Sequence, residues 1–352
     1  MNISFHHLDL QLAQPWVISR GKTDVARVVV VQLMDRDGVI GLGEAAPISR
    51  YQESVKSVES FLQKIDPAQL SPDSIPGSMA YLDTLHAGEM AAKCSVNIAL
   101  LDLAAKRAQK SLCDFLGLGF REKHHATSFT IGLGSLAVTR EKALAARDYP
   151  VLKMKAGGTK DQAALRALRE VAPEKKIRVD ANEAWHSREE ALKNIEWLAQ
   201  DPQVEFVEQP LPAATASKDW MWLKQRSPLP IFADESHHLA ADTAHAAECF
   251  HGVNIKLVKS AGVTGGLEAL KAARQAGLKT MLGCMIETSI LISAAAHLAE
   301  LCDYLDLDGN LLITNDPYLG VAAKNGILSF ASAPEKYGLR VCAKEGQRAS
   351  LA

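Results

Sequence analysis

The spacing of apolar and polar residues changes character twice along the chain. In the first stretch, up to about residue 50, it is strand-like. Val28-Val29-Val30-Val31-Gln32-Leu33 is a β-branched run, Asp35-Arg36-Asp37-Gly38 a turn, and Val39 to Glu44 a second run, together predicting a small antiparallel meander. From 53 to 117 the period is helical. Ser54 to Ile65 and Glu89 to Leu112 predict helices, the second with Val96, Leu100, Leu103 and Ala104 on one stripe and Leu116-Gly117-Leu118-Gly119 closing it. A sheet followed by helices makes an α+β unit. Beyond about residue 126, short strands alternate with helical segments. Strands are predicted at 128–131, 151–155, 177–180, 204–208, 231–234, 253–256, 280–283 and 304–307, with helices such as 161–171, 188–200, 240–249 and 265–276 between them. This alternation predicts an α/β unit closed as a (β/α)8-type, modified TIM barrel rather than an open sheet. The pattern is weakest from Leu211 to Leu229, around Trp220 and Trp222.

Composition narrows the functions available. With 39 basic and 41 acidic side chains the net charge is −2, which offers no electrostatic hold on nucleic acid or an anionic membrane. No apolar run reaches about 18 residues, so no membrane span is expected. The N-terminus lacks the order of a signal peptide. Cys94, Cys113, Cys249, Cys284, Cys302 and Cys342 show no paired spacing and are expected reduced, as in a cytoplasmic protein. The polar segment Ile18 to Asp24 is expected to be a solvated turn, with a substrate-covering loop as the alternative. His124 and His125 are expected to face solvent.

The candidate chemistry gathers at strand ends. Lys153 and Lys155 share one face of their strand, and Ala156-Gly157-Gly158 ends it, where barrels collect active groups. The third, fourth and fifth strands end in Asp180, Glu208 and Asp234. On a common barrel rim these carboxylates converge, and a hard divalent cation such as Mg²⁺ would neutralise them while keeping open positions for substrate. The sixth strand brings Lys256, with Lys259 beyond it expected to be solvated or structural. Strands two and six are opposite in an eight-stranded barrel, so Lys155 and Lys256 would face each other across the metal. A carbon acid between them could lose a proton to one face and regain it from the other, the metal holding the enolate. One lysine must then be neutral; Lys153, the metal and burial are expected to lower its pKa. Thr130 is a candidate for the same rim, although a threonine is also ordinary in a strand.

Lys-Met-Lys at 153–155, Val-Asp-Ala-Asn-Glu-Ala-Trp at 179–185, Val-Glu-Gln-Pro-Leu at 207–211, Ala-Asp-Glu-Ser at 233–236 and Ile-Lys-Leu-Val-Lys at 255–259 together resemble the enolase superfamily, muconate-lactonising branch. Lysine bases and Mg²⁺-stabilised enolates are established chemistry there. Gly41 to Pro47, Tyr51 to Glu53 and Asn97 to Leu103 extend the resemblance over nearly the whole chain. It implies an α+β capping domain at 1–122, a catalytic barrel at 123–320, and a tail at 321–352 that returns to the capping domain. It also implies metal ligation by Asp180, Glu208 and Asp234, acid/base roles for Lys155 and Lys256, and a supporting Lys153.

The last strand, Leu305-Asp306-Leu307-Asp308-Gly309, and Gly283 to Ser289 resemble the dipeptide epimerases of this branch. Asp306 and Asp308 would then hold the free α-ammonium of a dipeptide. Arg20 and Lys22 suit an acidic side chain, as in L-Ala-D/L-Glu epimerases. The expected reaction is Mg²⁺-dependent epimerisation of the C-terminal residue of L-Ala-L-Glu and L-Ala-D-Glu, with murein peptide recycling as its setting. The alternatives are an N-acylamino acid racemase or o-succinylbenzoate synthase, whose substrates carry no free ammonium, and a barrel that binds ligand without turnover, which has no need of opposed bases. A homo-oligomer is left open.

Overall fold

The computed structural model describes residues 1–19 and 21–345. Strands β1 (Asn2–Ile18), β2 (Gly21–Met34) and β3 (Ile40–Ala45) pair antiparallel in chain order, as the meander requires. The segment expected as a turn at 18–24 is mostly strand instead. Val17 pairs with Lys22 and Trp16 with Thr23, so among the described residues of this segment only Ser19 lies in a turn. The valine run is buried on both faces: Val29 and Val31 pack into the N-terminal core, Val28 and Val30 into the main one.

Helices α1 (Val55–Leu62), α2 (Ile75–Leu85) and α3 (Met90–Arg107) complete the N-terminal unit. Ser54 and Ser57 form a capping box that starts α1. Helix α2 falls within the stretch read as helical but was given no bounds of its own, because Pro76 and Gly77 in its first turn look like loop residues. Every residue of α3 from Ala91 to Ala105 is buried. Glycines on β3 permit this: a Cβ at Gly43 would lie 1.8 Å from the Ser95 carbonyl oxygen. A short helix, α4 (Leu112–Phe115), follows.

Eight parallel strands then run in chain order: β4 (Phe129–Ile131), β5 (Val151–Lys155), β6 (Lys176–Asp180), β7 (Val204–Glu208), β8 (Ile231–Ala233), β9 (Gly252–Lys256), β10 (Lys279–Gly283) and β11 (Tyr304–Asp306). Thr127 bridges Leu305, and the Ser128 N–H donates to the Leu305 carbonyl at 3.2 Å, which closes the circle. The first seven strands are followed by α5 (Leu136–Ala145), α6 (Asp161–Val171), α7 (Arg188–Leu198), α8 (Ser217–Arg226), α9 (Thr243–Cys249), α10 (Val263–Gln275) and α11 (Ser289–Ala296). Helix α8 explains the irregular stretch. Trp220 is buried against Phe250, while half-buried Trp222 lies between the guanidinium groups of Arg188 and Arg226, 4.6 Å from each.

The barrel interior is filled. Phe206 stacks on Phe232 at 4.2 Å beside Met281 and Tyr304, and the Arg178 guanidinium sits 4.9 Å from the Tyr304 ring. In the tail, β12 (Tyr318–Leu319), β13 (Ala322–Lys324), β14 (Ile327–Ser329) and β15 (Cys342–Ala343) form two small ladders. Its Leu339 N–H donates to Asp102 on α3 at 2.7 Å. His125 departs from expectation: it is buried against Phe120, 2.8 Å from a Glu300 oxygen, while His124 is exposed. All six cysteines are free. No helix among the described residues is long and apolar enough to cross a membrane.

Candidate active site

Strand register brings the charged side chains together. Lys155 lies beside Asp180, and Asp180 beside Glu208. Two residues earlier on the same face, Thr130 lies beside Lys153. Asp234 follows β8 directly, and one oxygen from each of Asp180, Glu208 and Asp234 lies within 4.8 Å of the others. All three are at most 1% exposed.

Each carboxylate divides its oxygens between two kinds of partner. Asp180 Oδ1 accepts from the Asn182 N–H at 2.9 Å, Glu208 Oε1 from Asn254 Nδ2 at 2.7 Å, and Asp234 Oδ1 from Lys259 Nζ at 2.7 Å. The remaining oxygens meet rim ammonium groups. Lys155 Nζ donates to Asp180 Oδ2, and Lys256 Nζ to Asp234 Oδ2, both at 2.7 Å. Lys153 Nζ lies 2.7 Å from Glu208 Oε2, off the hydrogen-bonding angle, and 3.2 Å from Asp180 Oδ2.

The cluster fits a hard divalent cation. Its donors are buried carboxylate oxygens gathered around cationic heads. Burial and neighbouring Asp180 push Glu208 up to about 8, a strain that a cation on Oε2 would relieve. Burial works against Asp180 and Asp234 too, but the adjoining lysines hold both below the usual carboxylate range. Lys256 is pulled both ways. Burial pushes it down, yet Asp234 and Glu208 outweigh burial and keep it above its ordinary value.

Asp306 and Asp308 adjoin this cluster, and both are buried. Asp306 accepts from Lys153 Nζ at 2.6 Å and from Ser128 Oγ at 2.5 Å. Asp308 accepts from the Thr130 N–H at 2.7 Å. Thr130 thus holds Asp308 through its backbone, while Ser128 and Lys153 hold Asp306. The β1–β2 hairpin reaches the same rim: Ser19 Oγ donates to the Asn182 carbonyl at 3.0 Å, and the Trp16 ring centre is 5.5 Å from Lys155 Nζ. Arg20 lies outside the described residues, and exposed Lys22 is 3.5 Å from Asp24. Arg50 of the N-terminal unit grips Glu183, just after β6, with two hydrogen bonds of 2.8 and 3.0 Å.

Two family models match the chain: the mandelate racemase/muconate lactonizing enzyme N-terminal domain over residues 3–117, and the enolase C-terminal domain-like family over 136–312. The chain belongs to the enolase superfamily. An L-Ala-D/L-amino acid epimerase of Pedosphaera parvula is 60% identical over 347 residues, covering 98% of this chain and 100% of the relative. An L-Ala-D/L-Glu epimerase of Bacteroides thetaiotaomicron is 36% identical, covering 95% of this chain and 86% of the relative. The dipeptide epimerase of Cytophaga hutchinsonii, solved with Mg and D-Ala-L-Val, superposes with a TM-score of 0.90 at 28% identity, covering 99% of this chain and 97% of that one. A substrate-liganded L-Ala-D/L-Glu epimerase of Bacillus subtilis gives 0.90 at 27% identity, covering 97% and 98%. This enolase-superfamily member is accordingly an enzyme, and an isomerase.

Several residues of this superfamily site escaped the sequence reading. Asn254 shares a strand face with Lys256 two residues on, so the signal for it was present. Ser128 precedes Thr130 by the same step. Gln209, in the Val-Glu-Gln-Pro-Leu segment, accepts from the Asp234 and Ser236 N–H groups and so shapes the turn that carries Asp234. Of the two roles expected for Lys259, solvated or structural, the structure shows the second, with the side chain buried. Its three N–H groups are shared among the Asp234 carboxylate and carbonyl and the carbonyls of His237 and Asn254.

Proposed function

We propose that the chain is a dipeptide epimerase working by proton transfer between Lys155 and Lys256. One observation carries the reading: the two lysines approach the carboxylate cluster from strands four places apart, with the buried Asp306–Asp308 pair beside it. A binding barrel would gain nothing from bases on both sides. Asp180, Glu208 and Asp234 would hold a divalent cation, Mg²⁺ on the precedent of the Cytophaga hutchinsonii complex, which would act as a Lewis acid toward the substrate carboxylate.

Asp306 and Asp308 would bind the dipeptide's α-ammonium and fix its register between the lysines. One lysine takes the α-proton of the C-terminal residue, and the other returns a proton to the opposite face. The donor must be charged and the acceptor neutral at each turn. Lys153 adds positive charge beside the developing enolate. The hairpin, with Trp16 over Lys155, excludes water during the transfer.

L-Ala-L-Glu and L-Ala-D-Glu are the proposed substrate pair, on the two cations, Arg20 and Lys22, that the sequence carries between Ile18 and Asp24 and on the named activity of the Bacteroides thetaiotaomicron relative. A cytoplasmic role in murein peptide recycling follows from that pair. A second reading, a wider range of C-terminal residues after L-Ala, draws on the aromatic Trp16 beside Lys155 and on the name of the Pedosphaera parvula relative, an L-Ala-D/L-amino acid epimerase. Proton NMR in deuterium oxide with Mg²⁺ tests both. Loss of the glutamate α-proton signal from L-Ala-L-Glu, with the L,D-dipeptide appearing, is expected. Exchange confined to apolar L-Ala-L-Xaa dipeptides would favour the second reading. Exchange only with N-acetylated substrates would overturn the roles of Asp306 and Asp308.

A further inference from the structure

The three carboxylates are each steadied from behind, but by unlike groups: a backbone N–H for Asp180, an amide for Glu208, and an ammonium for Asp234. Lys259 differs from the rim lysines in its acceptors. Lys153, Lys155 and Lys256 meet side-chain oxygens that a cation would also claim. Lys259 takes the other oxygen of Asp234, together with three backbone carbonyls, at Asp234, His237 and Asn254. Its side chain is 0% exposed. The chain sends it there by turning after β9: the Lys259 N–H donates to the Lys256 carbonyl at 3.0 Å, reversing direction beneath Asp234.

Two of its contacts link different ligands. Lys259 touches Asp234 directly, and it donates to the carbonyl of Asn254, whose side chain donates to Glu208. We infer that Lys259 is the positioning residue of the cation site, fixing Asp234 and, through Asn254, the spacing between Asp234 and Glu208. The inference rests on the cation reading given above. Because its anchors are backbone carbonyls, Lys259 keeps its place when the rim lysines give up their oxygens to a metal or a substrate. It never meets the reacting atoms. Groups behind a metal ligand set its orientation, and their loss typically costs about 10- to 100-fold in metal affinity.

Calorimetric titration of the full-length, chelator-treated protein with MgCl₂ tests this directly. Lys259→Met, similar in length and without charge, is expected to bind Mg²⁺ at least ~10-fold more weakly than wild type. Its epimerase kcat is expected to recover toward wild type as Mg²⁺ is raised, a rescue that general structural damage would not give. Lys259→Gln, which keeps a donor, is expected to fall between the two, and it carries the test if the methionine variant does not fold. Wild-type Mg²⁺ affinity in the folded variants would overturn the inference. A wild-type protein that itself takes up no Mg²⁺ would instead remove the cation reading beneath it.

Discussion

Asp306 and Asp308 stand two residues apart yet differ in charge near neutrality. Burial raises both, but Lys153 and Ser128 hold Asp306 below the usual range, whereas burial and Asp306 itself push Asp308 up to about 7. The group that would meet a substrate ammonium therefore gains its charge as pH rises through about 7. KM for a free dipeptide should fall from pH 6 to 7.5, then rise again as the substrate amine, with an ordinary pKa of roughly 8, loses its proton. Asp308→Asn should raise KM and abolish the fall between pH 6 and 7.5; steady-state kinetics at three pH values decide it. An unchanged profile in that variant would remove Asp308 from substrate binding. The spacing of the pair was legible from the chain alone, but its inequality was not, because Ser128 and Thr130 come from a strand some 178 residues earlier. For a similar reason the choice between a solvated and a structural Lys259 stayed open until the structure showed it buried. Alternation along a strand sorts side chains only while the strand lasts, and β9 ends at Lys256.

Among the elements, α3 joins the N-terminal unit to both the barrel and the tail. Asp102 on this helix accepts from the Leu42 N–H of β3 at 2.8 Å, the Leu339 N–H of the tail at 2.7 Å, and Lys106 Nζ at 2.7 Å. Asn97 donates to Thr264 Oγ1 at 2.8 Å and accepts from the Thr264 N–H at 3.1 Å, fastening α3 to the start of α10. Asp102→Ala would leave backbone donors from two other elements without acceptors. Stability should drop by roughly 2–4 kcal/mol, measured by urea unfolding, and a loss under about 0.5 kcal/mol would show that water replaces the carboxylate. The helix itself was readable from its stripe of Val96, Leu100, Leu103 and Ala104. Its full burial was not, since Ser95, Asn97 and Asp102 look like a solvated face until the barrel, β3 and the tail supply their partners. The barrel strands were easier to read because most of them, such as β5, β6, β7 and β9, close on a charge after a short apolar run. The hairpin was harder, since nothing local in Gly21 to Asp24 reveals that Trp16 to Ile18 lie opposite.

At the scale of the whole molecule, a net charge of −2 conceals a set of interior acids held above their ordinary values. Burial is the first cause in each case: Glu44 and Glu53 rise to about 7, Glu208 and Glu287 to about 8. Buried His237 and His297 are pushed down to about 4. The two sets pull stability in opposite directions below pH 6.5, where an unfolded histidine still takes up a proton. Between pH 6.5 and 8 the histidines are neutral in both states and only the acids count. Their pKa values are raised in the folded chain, so it binds more protons than the unfolded chain, and stability falls as pH rises through this window, by up to ~1.4 kcal/mol per pH unit for each proton. The loss should centre on the joint between the meander and the barrel. There Glu44 of β3 accepts from the Thr288 N–H and hydroxyl at 2.8 and 2.6 Å and from the Leu291 N–H at the start of α11. Urea unfolding in EDTA should show the decline, Mg²⁺ should remove the part due to Glu208, and Glu287→Gln should flatten the slope without needing the metal. Stability that holds constant from pH 6.5 to 8 would mean that these acids are ionised in the folded protein, and that the joint is wetter than its packing implies.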